Sequence, residues 1–153
     1  MKVQVNLREG TLKIDTYGFF ITCDVRNELN GRRKENQVVL SIPEHKPYYP
    51  RPFPKGTWKI LGVEYTTDPV FAPVKILTDA FRMVRIWELD ENGHYKNKTE
   101  EITKDKCYWL HFSKDSKTTH GCIRLNSEAD ALKIAELIKT ELKKTNSIEL
   151  EVT

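Results

Sequence analysis

Thr119-His120-Gly121-Cys122-Ile123-Arg124 sets a thiol between an imidazole two residues before it and a guanidinium two residues after it, and His111 stands shortly upstream. A thiol attacks as its thiolate, and a nearby imidazole lowers its pKa or removes its proton, so this grouping suits a cysteine nucleophile. Gly121 lacks a Cβ and is free to take a positive φ, which lets backbone N–H groups point at a developing oxyanion. Free cysteine is often simply a buried small hydrophobe. Against that reading stand Thr119, His120 and Arg124, because three polar side chains around one thiol would each need a partner in an apolar core.

The run T-H-G-C-I-R, preceded by Tyr108-Trp109-Leu110-His111, resembles the signature of the L,D-transpeptidase catalytic domain (YkuD-like) family: [S/T]-H-G-C-hydrophobic-R with an upstream histidine. Pro52-Phe53-Pro54-Lys55-Gly56-Thr57-Trp58-Lys59-Ile60 is similar to the same family's earlier P-x-G-x-[FW]-x-[IV] segment, and the two motifs occur in the family's order. The chain departs from the pattern in having His111-Phe112, where the family usually has His-Gly or His-Ser, and in having only a short polar loop, Ser113 to Thr118, before the cysteine motif.

The resemblance implies a β-sandwich with the cysteine loop at one end, acting on peptidoglycan stem peptides. It makes Cys122 the nucleophile and His111 the general base. His120 would support the loop or assist proton transfer, and the backbone N–H groups of Gly121 and Cys122 would serve as oxyanion donors. Arg124 would orient the loop or receive a substrate carboxylate, and Thr119 joins it as a substrate contact. The thioester would pass to an amine or to water, so transpeptidation, carboxypeptidation and endopeptidase cleavage all stay open, as does a degenerate wall-binding domain. The resemblance implies no cofactor, and carbapenem-type inhibitors would acylate the same thiol. On the residues alone, His111 and His120 serve equally well as imidazoles bonded to backbone, and Arg124 as a structural ion pair.

The 153-residue chain is 39% hydrophobic and 31% charged, the profile of one globular domain spanning residues 1–153. No apolar run approaches the roughly 18 residues needed to cross a bilayer. Met1 to Glu9 has polar residues where a secretory signal would be apolar, so a Sec address is not expected, although a wall substrate places the action in the periplasm or cell wall. The net charge of +3 is small, and no basic stripe interleaved with aromatics suggests a nucleic-acid partner. Cys23, Cys107 and Cys122 leave at least one thiol unpaired. A zinc site built from His111, His120, Cys122 and Cys107 would lack the paired close spacings of structural zinc.

The remaining pattern is mainly β. Strands are expected at Thr11 to Ile14 and Tyr17 to Val25, joined at Asp15-Thr16, and at Val38 to Ile42, Thr57 to Tyr65 and Phe81 to Leu89. Asn30-Gly31, leading into Arg32-Arg33-Lys34, and Asp90 to Gly93 read as turns. Pro43 to Pro54 holds five of the seven prolines and reads as an extended loop. Leu125 to Lys144 is the one long helix, with Asn126 or Ser127 as its cap and Ala131, Ile134, Ala135, Ile138 and Leu142 on its apolar face. Ser147 to Val152 alternates as a short edge strand.

Overall fold

The computed structural model describes residues 1–22, 52–89, 95–106, 108–114, 119 and 121–153. Strand β1 (Lys2–Asn6) turns Val3 and Val5 inward, and β2 (Thr11–Ile14) does the same with Leu12 and Ile14. The strand alternation expected from a half-buried surface is therefore present in both. A two-residue turn at Asp15-Thr16, with Asp15 at φ 49°, leads into β3 (Tyr17–Thr22), where Phe19 and Ile21 face the core. The sequence places this strand as far as Val25, and its last residues lie outside the described ones. So do the Val38 to Ile42 strand, the Asn30-Gly31 and Asp90 to Gly93 turns, the Arg32 to Lys34 cluster and most of the proline-rich loop.

The Pro52 to Ile60 motif enters β4 (Gly56–Tyr65). Gly56 has φ +138°, a conformation that side chains rarely adopt, which accounts for glycine at this turn. The Trp58 indole N–H donates to the Pro54 carbonyl at 2.8 Å, and buried Phe53 packs edge-on against Tyr108 with ring centroids 5.6 Å apart. The motif thus braces the chain just before His111. Strand β5 (Val74–Thr78) returns antiparallel to β4, and β6 (Arg82–Leu89) pairs with β7 (Tyr95–Asp105) as a separate two-stranded sheet.

Two very short strands complete the main sheet: β8 (Leu110–His111) and β9 (Ile123–Leu125). After β9, Ser127 caps helix α1 (Glu128–Leu142) by accepting the Asp130 N–H at 3.0 Å. The helix is shorter than the expected Leu125 to Lys144 because Leu125 is taken by β9. Ala131, Ile134, Ala135 and Ile138 are buried, Leu142 packs against the same core, and the face lies against β4, β5, β9 and β10. Each fully buried isoleucine there contributes about 1.5–3 kcal/mol relative to exposure.

Strand β10 (Ile148–Val152) corrects the edge-strand expectation. It lies between β1, to which it is parallel, and β4, to which it is antiparallel. Its alternation buries Ile148, Leu150 and Val152, and that pattern alone carries no information on whether one or both edges are paired. The expected β-rich fold with one helix after the cysteine loop is present in these strands. Among the described residues they close into a barrel in the order β1-β10-β4-β5-β8-β9-β3-β2.

Candidate active site

The register of three strands assembles the site. His111 on β8 pairs with Lys75 on β5 and with Arg124 on β9, while Leu110 pairs with Ile76 and Ile123. Because β8 and β9 are parallel, Cys122 stands level with Trp109. Side chains alternate along each strand, so Lys75, Trp109, His111, Cys122 and Arg124 share one face, and Leu110 and Ile123 fill the core on the other. The backbone links confirm the alignment: the Ile123 N–H donates to the Trp109 carbonyl at 3.0 Å, and the Trp109 N–H donates to Cys122 Sγ at 3.4 Å.

Cys122 is buried, 7% exposed. The turn before it is stapled by Thr119, whose hydroxyl donates to the Cys122 carbonyl at 2.5 Å and accepts the Gly121 N–H at 3.2 Å. Gly121 takes φ +129°, so the sequence expectation of a positive φ there holds. The Gly121 N–H, expected to face an oxyanion, is directed at the Thr119 hydroxyl instead. Thr119 itself, expected to touch substrate, is buried with its hydroxyl engaged inside the loop.

His111 is 3% exposed, and its Nδ1 lies 2.8 Å from the Phe112 carbonyl. A carbonyl can only accept, so Nδ1 carries the proton and Nε2 is the basic nitrogen of the neutral ring. Burial is the main cause that lowers the His111 pKa from its ordinary value, and the charges of Arg124 and Lys75 act the same way. The Phe112 and Val70 carbonyls oppose this but do not overcome it. The imidazole is therefore held neutral at neutral pH, as a general base requires.

Arg124 donates through Nη2 to the Ser113 carbonyl at 3.0 Å, and its guanidinium lies 4.9 Å from the centre of the Phe112 ring. Of the two roles expected for it, loop orientation has a direct counterpart in this contact. His120, like Cys23 and Cys107, lies outside the described residues. No group of three or more His, Cys, Asp or Glu side chains suited to a metal occurs among the described residues.

Sequence reading alone gives no role to the connection between β4 and β5. Asp68 organises it, accepting the Val70 N–H on Oδ1 at 2.9 Å and the Phe71 and Ala72 N–H groups on its carbonyl at 3.0 and 2.7 Å. The turn delivers Phe71 to the site, edge-on to both His111 (4.9 Å) and Trp109 (5.6 Å). Lys75 Nζ lies 4.3 Å from the Trp109 ring centre and 5.0 Å from that of Phe71, and pairs with Glu64 at 3.3 Å. Thr66, Asp68 and Pro69 mark a turn in the sequence, but nothing local shows that the turn covers a histidine some forty residues later.

Comparisons with curated protein sequences and with solved structures returned no significant match. Residues 29–146 match the family model of the L,D-transpeptidase catalytic domain, YkuD, a span that includes both sequence motifs and every site residue named above. With more than half of its length matched, this chain belongs to the L,D-transpeptidase catalytic domain family.

Proposed function

We propose that this domain is a cysteine-dependent acyltransferase acting on peptidoglycan stem peptides, with Cys122 as nucleophile and His111 as general base. The observation that carries the reading is the register of β8 and β9, which sets the Cys122 side chain and a neutral, Nδ1-tethered imidazole on one face within a member of this family.

In the proposed reaction, His111 Nε2 takes the thiol proton and Cys122 Sγ attacks a carbonyl carbon of the donor stem. The tetrahedral intermediate collapses with cleavage of the amide C–N bond. The departing amino group, that of a terminal D-alanine, receives the proton from His111, and a thioester remains. An amine of a second stem then loses a proton to His111, attacks the thioester carbonyl and releases the thiolate. The Cys122 backbone N–H is the proposed oxyanion donor, with Gly121 shaping the turn. Thr119 and Arg124 support this chemistry by holding the loop, and His120 is proposed to support the loop or assist proton transfer.

Incubation with defined muropeptides, followed by mass analysis, tests the proposal. Loss of D-alanine together with a cross-linked product is the expected result. Loss of D-alanine without cross-links would assign the protein to hydrolysis through the same thioester. Unchanged muropeptides at neutral pH would reject the activity.

A further inference from the structure

Resting on the reading of Cys122 as nucleophile, we infer that the backbone N–H of Trp109 is the donor that stabilises the Cys122 thiolate, and that Phe71 and Lys75 are positioning residues that hold this N–H in place. The Trp109 backbone is held through both of its polar groups. Its carbonyl is committed to the Ile123 N–H at 3.0 Å, and its N–H reaches Cys122 Sγ at 3.4 Å. The indole packs against the edge-on ring of Phe71 and the ammonium of Lys75, which also touch each other, and Lys75 is in turn held by Glu64.

Physical chemistry gives this contact its importance. A hydrogen bond from an amide to sulfur is weak for a thiol and much stronger for a thiolate, so it shifts the equilibrium towards the charged form. Burial of Cys122 acts in the opposite direction. In many thiol sites a neighbouring imidazolium supplies the compensating charge, but here His111 is buried beside two cations and is held neutral. The titratable and charged groups sharing the face of Cys122 among the described residues are His111 on β8, Arg124 on β9 and Lys75 on β5. Arg124 is drawn towards Ser113 and Lys75 towards Glu64. The Trp109 N–H is a fixed dipole aimed at the sulfur and favours the charged form whatever other groups lie near it.

The test replaces Trp109 by its α-hydroxy analogue, indole-lactic acid, through nonsense suppression in the full chain, which exchanges the N–H for an oxygen and keeps the indole. Iodoacetamide alkylation of Cys122, followed by peptide mass mapping against pH, reads the thiolate directly. The ester should move the titration upwards by about one to two units, the worth of one hydrogen bond to a charged acceptor. An unmoved titration overturns the inference.

The ester also weakens the Tyr108 carbonyl, which accepts the Thr78 hydroxyl at 2.6 Å, so Thr78→Val is the control. An equal shift in Thr78→Val would assign the effect to that carbonyl and overturn the inference. Phe71→Leu should produce a smaller shift in the same direction, and Phe71→Tyr should restore the wild-type profile. A profile unmoved by Phe71→Leu removes the positioning role. Should the ester protein not fold, Trp109→Ala decides, because it keeps the N–H but removes the indole's contacts with Phe71 and Lys75: an upward shift supports the inference and a wild-type profile overturns it. Alkylation needs no substrate, so a thiolate that depends on this N–H in a protein inert towards muropeptides would reject the proposed activity alone. Turnover that depends on Cys122, with a titration indifferent to the ester, would reject this inference alone.

Discussion

Arg124 reaches from β9 to the Ser113 carbonyl, donating through Nη2 at 3.0 Å, and so fastens the strand that follows Cys122 to the chain that leaves His111. The two halves of the candidate site come from segments on either side of residues 114–119, and a planar cation joins them. Its other face rests against Phe112, the residue whose carbonyl sets the His111 tautomer.

Arg124→Lys keeps the charge but loses the planar fork and the stacking surface. Muropeptide turnover should fall by about ten- to a hundredfold, the cost of one charge-assisted hydrogen bond expressed as a rate, with the circular dichroism spectrum unchanged. A rise in KM at constant kcat would instead place the guanidinium on a substrate carboxylate.

Cys122→Ala should abolish turnover and still fold, while Cys23→Ala and Cys107→Ala keep most activity. The same contrast should appear with a carbapenem: intact mass rises by one drug molecule in the wild type and in the latter two variants, and not in Cys122→Ala. Equal losses in all three, tracking lowered stability, would return Cys122 to a packing role.

The lowered pKa of His111 has two consequences of definite sign. The neutral ring is the basic form, so the acid limb of kcat/KM should fall below the ordinary histidine value of about 6.5. The unfolded chain binds this proton more readily than the folded one. Stability is therefore fully present above about 6.5 and declines as pH falls from there towards the folded-state pKa. Urea unfolding at several pH values should show that decline in the wild type and a shallower one in His111→Gln. His111→Ala should slow turnover by about 10²- to 10⁴-fold, the range for losing a positioned acid–base group. A larger effect from His120→Ala would exchange the roles of the two histidines.

Ser127→Ala removes the side-chain acceptor for the Asp130 N–H and should cost about 1 kcal/mol. For a chain of this length that corresponds to a Tm about 2–4 °C lower by calorimetry. Activity at room temperature should hold, because the helix packs on the barrel rather than entering the site.

Local pattern made part of this molecule readable. Leu12 and Ile14 alternate with polar neighbours, and Ala131, Ile134, Ala135 and Ile138 recur at helical spacing, so β2 and α1 were visible in the chain. Asn126 and Ser127 were both recognisable as candidate caps from residue type and position, and the structure uses Ser127. A two-residue strand such as Leu110–His111 has no periodicity to detect, and its existence depends on β5 and β9 lying on either side. The contacts of Phe71 with His111 and Trp109 are likewise products of closure. Cys122, His111 and Arg124 could be named as candidates from their chemistry, whereas the engagement of Gly121 and Thr119 with each other depends on a φ angle and a rotamer that composition does not encode.

The place of β10 between β1 and β4 sets the order in which the molecule can be completed. Until residues 148–152 are synthesised, β1 and β4 each present a bare hydrogen-bonding edge, and the ring of strands is open at that point. Pairing the earliest strand with a very late one is a non-local step, so closure should be slow and should come after translation of the whole barrel. A nascent chain would thus carry the thiol segment before the barrel that shields it has shut, and chaperone occupancy during synthesis should be greatest in that interval.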